Sequence, residues 1–221
     1  MDQLDYLYSE EGLENGPLGF PAVNPMKSRH SDKRKLIYVG KRYFDDDQTR
    51  ENVERVMKET ARKTRVRTDG SWISRLLEPY VEKAVYYLNK VFAKETGYIV
   101  DYGTVELAEI KEKPFVYDKK GRVRGVINGM YNTIFKKNSF NPELAEMHIS
   151  RPVKTLVHEL GHNGKDYQGE LGEYGDTFGP FTVPLVEAKN RLITDMVTPQ
   201  VLQDPMPGKY IRAPEYRFSQ N

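Results

Sequence analysis

The sequence predicts an α+β fold in which a small mixed or antiparallel sheet packs against a long backing helix and two later helices. Three observations carry this expectation. Residues 72–96 hold a broad apolar stripe at helical spacing. Residues 98–136 are rich in β-branched and aromatic side chains broken by turn residues. Residues 150–163 and 183–197 then return to a helical period. At 221 residues the chain suits one large domain or two small ones.

Residues 1–35 read as an irregular arm, because Gly16-Pro17, Gly19, Pro21 and Pro25 punctuate a polar background. Segment 36–67 follows as a strand and a charged helix. Leu36-Ile37-Tyr38-Val39 is the strand, and Asp45-Asp46-Asp47 opens a helix that runs to about Arg65. The acids lie at the positive end of the helix dipole, so capping accounts for them more simply than metal binding does. Thr68-Asp69-Gly70-Ser71 is a break. One helix is expected from Trp72 to Thr96, with Ile73, Leu76, Leu77, Tyr80, Val81, Ala84, Val85, Leu88, Val91 and Phe92 on its buried face and Gly97 at its end.

A β region covers Tyr98 to Ile110 and Pro114 to Tyr117, and the turn Asp118-Lys119-Lys120-Gly121 leads into Arg122–Lys136. Gly125 and Gly129 there suggest bulges or close backbone approach. Asn138 to Ile149 reads as a loop or short helix. Ser150 then stands where an N-cap belongs, with Pro152 in the first turn, and Val153, Leu156, Val157 and Leu160 share one face. Asn163-Gly164 is expected to stop this helix. Thr182 can cap a last helix, with Leu185, Ala188, Leu192 and Met196 as its packing stripe, and Pro199 is expected to end it near Thr198. The main domain therefore spans 68–200, and 201–221 form a C-terminal tail.

Composition narrows the function classes. The net charge is +2, from 34 basic and 32 acidic residues, which leaves no footprint for nucleic acid. No stretch approaches the 18 or so apolar residues of a membrane span, so no membrane association is expected. The N-terminus is acidic and shows no signal peptide, which points to the cytoplasm or to the inside of a particle such as a virion. There are no cysteines, so a metal site would have nitrogen and oxygen ligands.

The chemistry lies in His158-Glu159-Leu160-Gly161-His162. Residues four apart stack on one helix face, so His158 and His162 present two imidazoles to one point, with Glu159 at the edge of that face. Two neutral imidazoles and a carboxylate are what a catalytic zinc ion takes from one helix: two ligands and a base for water. With four histidines in the chain, this spacing would arise by chance in roughly one such sequence in two hundred. Gly161 would let another backbone come close beside the metal.

This motif, set in the order backing helix, small sheet, metal-binding helix, loop and further helix, resembles the catalytic domain of the zincin metallopeptidases over about residues 70–200. The resemblance implies peptide hydrolysis, with the strand around Ile127–Phe135 as the edge that binds substrate. Strand addition suits a peptidase, since main-chain hydrogen bonds hold any extended peptide.

A catalytic zinc usually has three protein ligands and an open position. The metzincin subgroup would need a Gly and a ligand where this chain has Lys165 and Gln168, which excludes it. Gluzincins take a Glu from a later helix, and the resemblance points to Glu187. Glu187-Ala188 at the start and Pro199 at the finish are similar to the glutamate helix of ImmA/IrrE-type gluzincins. Thermolysin-like enzymes carry Asn before this Glu and Asp four after it, where this chain has Val186 and Arg191. Glu173 and Asp176 are rivals, an aspartate ligand being known in aspzincins, although that subgroup's Gly-Thr-x-Asp signature is absent at Asp176. Without a metal, Glu187 would form an ordinary i,i+4 ion pair with Arg191.

The expected activity is that of a zinc-dependent endopeptidase acting on a peptide or protein, with Glu159 as general base. Zincins commonly add a Tyr, His or Arg that stabilises the oxyanion. Tyr174 is assigned here, because Gly172 and Gly175 would let its loop fold over the cleft; Tyr167 and His148 are the other candidates. Two further readings belong to different classes: an inactive binding or structural protein on a zincin fold, and a metal-dependent hydrolase of a non-peptide amide or ester. The 1–35 arm, upstream of a peptidase-like domain, is a candidate pro-segment that lies across the cleft.

Overall fold

The structure, a computed structural model, describes residues 32–40, 46–112, 114–117, 119–132, 134–168 and 182–203. It is α+β. Strand β1 (Leu36–Tyr38) pairs antiparallel with β3 (Tyr98–Val100), Leu36 lying opposite Val100. A four-stranded sheet has the order β2-β4-β8-β7, formed by β2 (Arg65–Thr68), β4 (Thr104–Glu109), β8 (Lys137–Phe140) and β7 (Gly129–Asn132). Its first three strands are parallel, and β7 runs antiparallel to β8 with Gly129 opposite Phe140. Strands β5 (Phe115–Tyr117) and β6 (Val123–Val126) make a separate hairpin. Among the described residues no helix is long and apolar enough to cross a membrane.

The helices are α1 (Asp47–Lys63), α2 (Trp72–Leu77), α3 (Val81–Thr96), α4 (Ser150–Gln168) and α5 (Thr182–Gln203). Asp46 caps α1 by accepting the Thr49 N–H at 2.7 Å, the role its triplet suggested. The single helix expected over 72–96 is divided. A short 3-10 turn at Glu78–Tyr80 separates α2 from α3 because Pro79 has no N–H to donate and its ring crowds the preceding turn. Gly97 ends α3 in the left-handed conformation at φ 78°, as expected.

One core joins these elements. Val81, Ala84, Val85 and Leu88 of α3 are fully buried with Val105 and Phe140 of the sheet, Val153, Leu156, Val157 and Leu160 of α4, and Ile193 and Val201 of α5. Strand β3 is tied to α3 by Asn89, whose side-chain amide donates to the Val100 carbonyl and whose oxygen accepts the Val100 N–H. A smaller cluster of Val53, Met57, Ala93 and Ile99 fixes α1 to the back of α3.

Four boundaries differ from expectation. Helix α1 stops at Lys63, and strand β2 occupies Arg65–Thr68, where the end of the helix and the start of a break were expected. Strand β8 falls in what the sequence marked as a loop or short helix. Its residues are Lys137-Asn138-Ser139-Phe140, where Asn138 is fully buried because its amide donates to the Glu106 carbonyl of β4. Helix α4 continues through Asn163-Gly164 to Gln168. Gly164 is there for close packing: a Cβ would strike the Phe92 ring and the Tyr102 hydroxyl. Helix α5 passes through Pro199, which faces solvent, while buried Val197 and Val201 hold the turns on either side. Of the tail from 201, residues 201–203 thus belong to α5, and the remainder lies outside the described residues, as does the arm up to residue 31.

The packing stripe of α5 is also turned from the expected one. Val186, Asn190, Ile193, Thr194 and Val197 are buried, whereas Ala188 is exposed and Leu192 is 44% exposed. Lys189, Asn190, Thr194 and Thr198 are polar residues buried on this helix, and of these Asn190 and Thr194 meet His158 of α4.

Candidate metal centre

Helix α4 begins at Ser150 itself, so Ser150 is its first residue and His148 does the capping. The Ser150 N–H donates to His148 Nδ1 at 3.3 Å, and the same ring nitrogen lies 2.9 Å from Ser150 Oγ. His148 is thus ten residues from His158, about 15 Å along the helix. That removes it as an oxyanion donor. Tyr167 is removed too. It is 6% exposed and packs into the core, edge-to-face on Tyr102 at 6.2 Å.

The buried face of α4 holds the helix so that His158 and His162 converge. Their Nε2 atoms lie 3.1 Å apart. Helix α5 packs along α4 and brings Glu187 to the same point, with one carboxylate oxygen 3.4 Å from His158 Nε2 and the other 3.0 Å from His162 Nε2. The helices approach this closely because of Gly161. The Asn190 side chain fills the space a Cβ would take, and its Nδ2 donates to the His158 carbonyl at 2.8 Å. The group drawn close by Gly161 is therefore a side chain, where backbone was expected. Gly161→Ala is expected to push α5 off α4 and weaken zinc binding about 10–100-fold, the scale on which ligand supports act, measurable by chelator competition.

These donors fit a zinc ion. Three ligand atoms 2.0–2.1 Å from one tetrahedral centre stand about 3.3 Å from one another. The two Nε2 atoms, 3.1 Å apart, are close to that value, and the Glu187 carboxylate straddles them, one oxygen 3.0 Å from His162 and the other 3.4 Å from His158. Both imidazoles are held neutral. The His158 pKa is lowered first by burial, with Arg191 and Lys165 adding to it and Glu187 opposing; that of His162 is lowered by burial and by His158. Two neutral ring nitrogens and a carboxylate aim lone pairs at one point, an arrangement favourable only with a cation or protons between them. The Glu187 side chain is 37% exposed against 12% for His162, so the cluster opens to solvent on the α5 side.

Glu159 lies beneath strand β7 and is 5% exposed. Burial, and then the negative charge of Glu187, push its carboxyl up to about 8, while the Tyr131 backbone N–H bonded to it pulls the other way. Gly129 permits this contact: a Cβ there would come 2.7 Å from Glu159 Oε1 and 2.6 Å from Thr155 Cγ2. Strand β7 is anchored a second time, by the Tyr131 hydroxyl donating to Asp166 at 2.7 Å. Asp166, His162 and His158 form one stripe on α4 at four-residue spacing. Lys136 pairs with the same aspartate.

His158, His162, Glu159 and Glu187 are thus brought together. Tyr174, Glu173 and Asp176 lie outside the described residues. Tyr131, Asn190 and Thr194 were not singled out from the sequence, whereas Gly129 was expected to mark a bulge or close backbone approach and does pack tightly, on Glu159 and Thr155. Asn190 and Thr194 follow Glu187 by three and seven residues, a helical spacing that places them on its face of α5 and could have flagged them. No protein-family model, curated protein or solved structure matches this chain.

Proposed function

We propose that the chain is a zinc-dependent endopeptidase of zincin type, with His158, His162 and Glu187 as metal ligands and Glu159 as general base. The observation that carries this reading is the conjunction of two imidazoles and a carboxylate whose ligand atoms lie within 4.8 Å of one another with a buried carboxylate on the residue next to the first of them. A structural zinc site has no use for such a carboxylate, since its four ligands close the shell.

When bound, the metal supplies Lewis acidity, which lowers the pKa of water to near 7 and polarises a carbonyl. Glu159 accepts a proton from water as it attacks the scissile carbonyl, then delivers that proton to the departing amine. Burial raises its pKa in the metal-free fold, which favours holding a proton, and the charge of a bound metal would lower it again, which favours the carboxylate that accepts one. The Tyr131 N–H keeps the carboxylate aimed from strand β7.

The choice of a peptide as substrate is supported by β7, an end strand of its sheet that contacts α4 beside the metal cluster. Among the described residues one side of β7 pairs with β8 and no strand pairs with the other, where the Tyr131 N–H is bonded to Glu159 and an extended chain could add beside it. The oxyanion donor assigned from the sequence, Tyr174, stays part of this proposal.

The test is incubation of the zinc-loaded full chain with a peptide library, read by mass spectrometry for new termini. Cleavage that stops with a zinc chelator and returns with added zinc is the expected result. Zinc binding without cleavage of any peptide would favour the inactive binding protein, and cleavage confined to non-peptide amides would favour the second alternative.

A further inference from the structure

The candidate centre contains one buried hydroxyl that the proposed reaction does not use. Thr194 is 1% exposed and its Oγ1 has two neighbours: the Asn190 carbonyl oxygen at 2.7 Å and His158 Nδ1 at 3.3 Å. A threonine hydroxyl carries one hydrogen, and a carbonyl oxygen can only accept. The hydrogen therefore goes to the Asn190 carbonyl. What Thr194 offers His158 is an oxygen lone pair, and that contact is satisfied only when Nδ1 carries the ring hydrogen. Asn190 adds a second hold, since its Nδ2 donates to the His158 carbonyl at 2.8 Å. Backbone and ring of one residue are gripped by two side chains one turn apart on α5. Among the described residues no such hydroxyl meets the ring of His162.

We propose that Thr194 is a positioning residue that fixes neutral His158 as the Nδ1–H tautomer, so that Nε2 presents its lone pair to the point shared with His162 and Glu187. This deepens the metal-centre reading and rests on it for its purpose. A neutral imidazole free in water divides itself between two tautomers, and only one leaves Nε2 able to bind a cation. Thr194 favours that form before the metal arrives and opposes the Glu187 carboxylate, 3.4 Å from Nε2, which would draw the ring hydrogen to Nε2. The same helix that delivers Glu187 as a ligand thus prepares His158 as another.

The tautomer can be read directly from ring nitrogen-15 chemical shifts of the metal-free full chain at pH 8, where the rings are neutral. His158 is expected to show a protonated Nδ1 and a bare Nε2 in the wild type and in Thr194→Ser, and a mixture in Thr194→Val. Zinc affinity by competition with a chromophoric chelator is expected to fall about 10–100-fold in Thr194→Val and to stay near the wild-type value in Thr194→Ser. A wild-type His158 with its hydrogen on Nε2 would overturn the proposal. So would a Thr194→Val chain that keeps both the single tautomer and the affinity. The wild-type spectrum needs no variant, so it decides the matter even where Thr194→Val does not fold. It needs no metal either. A chain with His158 fixed as Nδ1–H that bound no zinc would refute the metal centre and leave the role of Thr194 standing.

Discussion

Glu159→Gln is expected to lower peptide hydrolysis by about 10²–10⁴-fold while leaving zinc bound, because the amide keeps the shape of the side chain and cannot accept a proton. That loss corresponds to roughly 3–5 kcal/mol of transition-state stabilisation. The same substitution is expected to stabilise the metal-free protein at high pH. In the fold the Glu159 carboxyl titrates at about 8, against 4.5 for an unburied glutamate. A group raised in this way contributes stability that is complete below about 4.5 and is lost as the pH climbs through about 8. Glutamine never takes up that buried charge. The variant's advantage in urea or thermal unfolding should be absent near pH 4 and reach the order of a few kcal/mol by pH 9. Bound zinc favours the carboxylate, so the advantage should shrink in the metal-loaded protein. An activity loss without this pH-dependent gain would mean that Glu159 is not buried as described.

Glu187→Ala carries the second large effect. It removes one ligand of three and the only negative charge among them, so zinc affinity is expected to fall by more than the ~10–100-fold that loss of a ligand's supporting contact costs. Hydrolysis should fall with it at any zinc concentration that loads the wild type. Glu173→Ala and Asp176→Ala provide the contrast, since on this account both keep zinc. A second consequence separates the role of Glu187 from simple damage. Its charge is one of the causes holding the Glu159 pKa up, so that pKa should drop in the metal-free variant. Retention of zinc by Glu187→Ala, with loss in one of the other two, would transfer the ligand role to the loop.

Much of this arrangement was legible because it depends on short-range pattern. The apolar face of α4, the acidic cap of α1 and the glycine end of α3 all follow from residues a few positions apart, and the His158/His162 convergence follows from helical period alone. Residues that meet across the fold were harder to read. Helix α5 buries Asn190 and Thr194 where an apolar stripe through Leu185, Ala188, Leu192 and Met196 was expected, because their partners, the carbonyl and ring of His158, lie 32 and 36 residues away. Strand β8 escaped notice for a related reason: buried Asn138 gives its amide nitrogen to the Glu106 carbonyl, and a polar residue at that inward position breaks the apolar alternation that would announce the strand. Glycine was the most ambiguous signal. Gly164 reads as a helix stop, yet it lies within α4 because two aromatic side chains need its space. Pro199 misled in the same way, since a proline on the solvent side of a well-packed helix does not have to end it.

X-ray absorption at the zinc edge of the loaded full chain tests the central claim most directly. A site built by α4 and α5 should show four light-atom ligands at about 2.0–2.1 Å, with the multiple-scattering signature of two imidazoles. Glu187→Ala should change the light-atom shell and keep both imidazoles. A spectrum with one imidazole or none, or one that is unaltered in Glu187→Ala, would contradict the account.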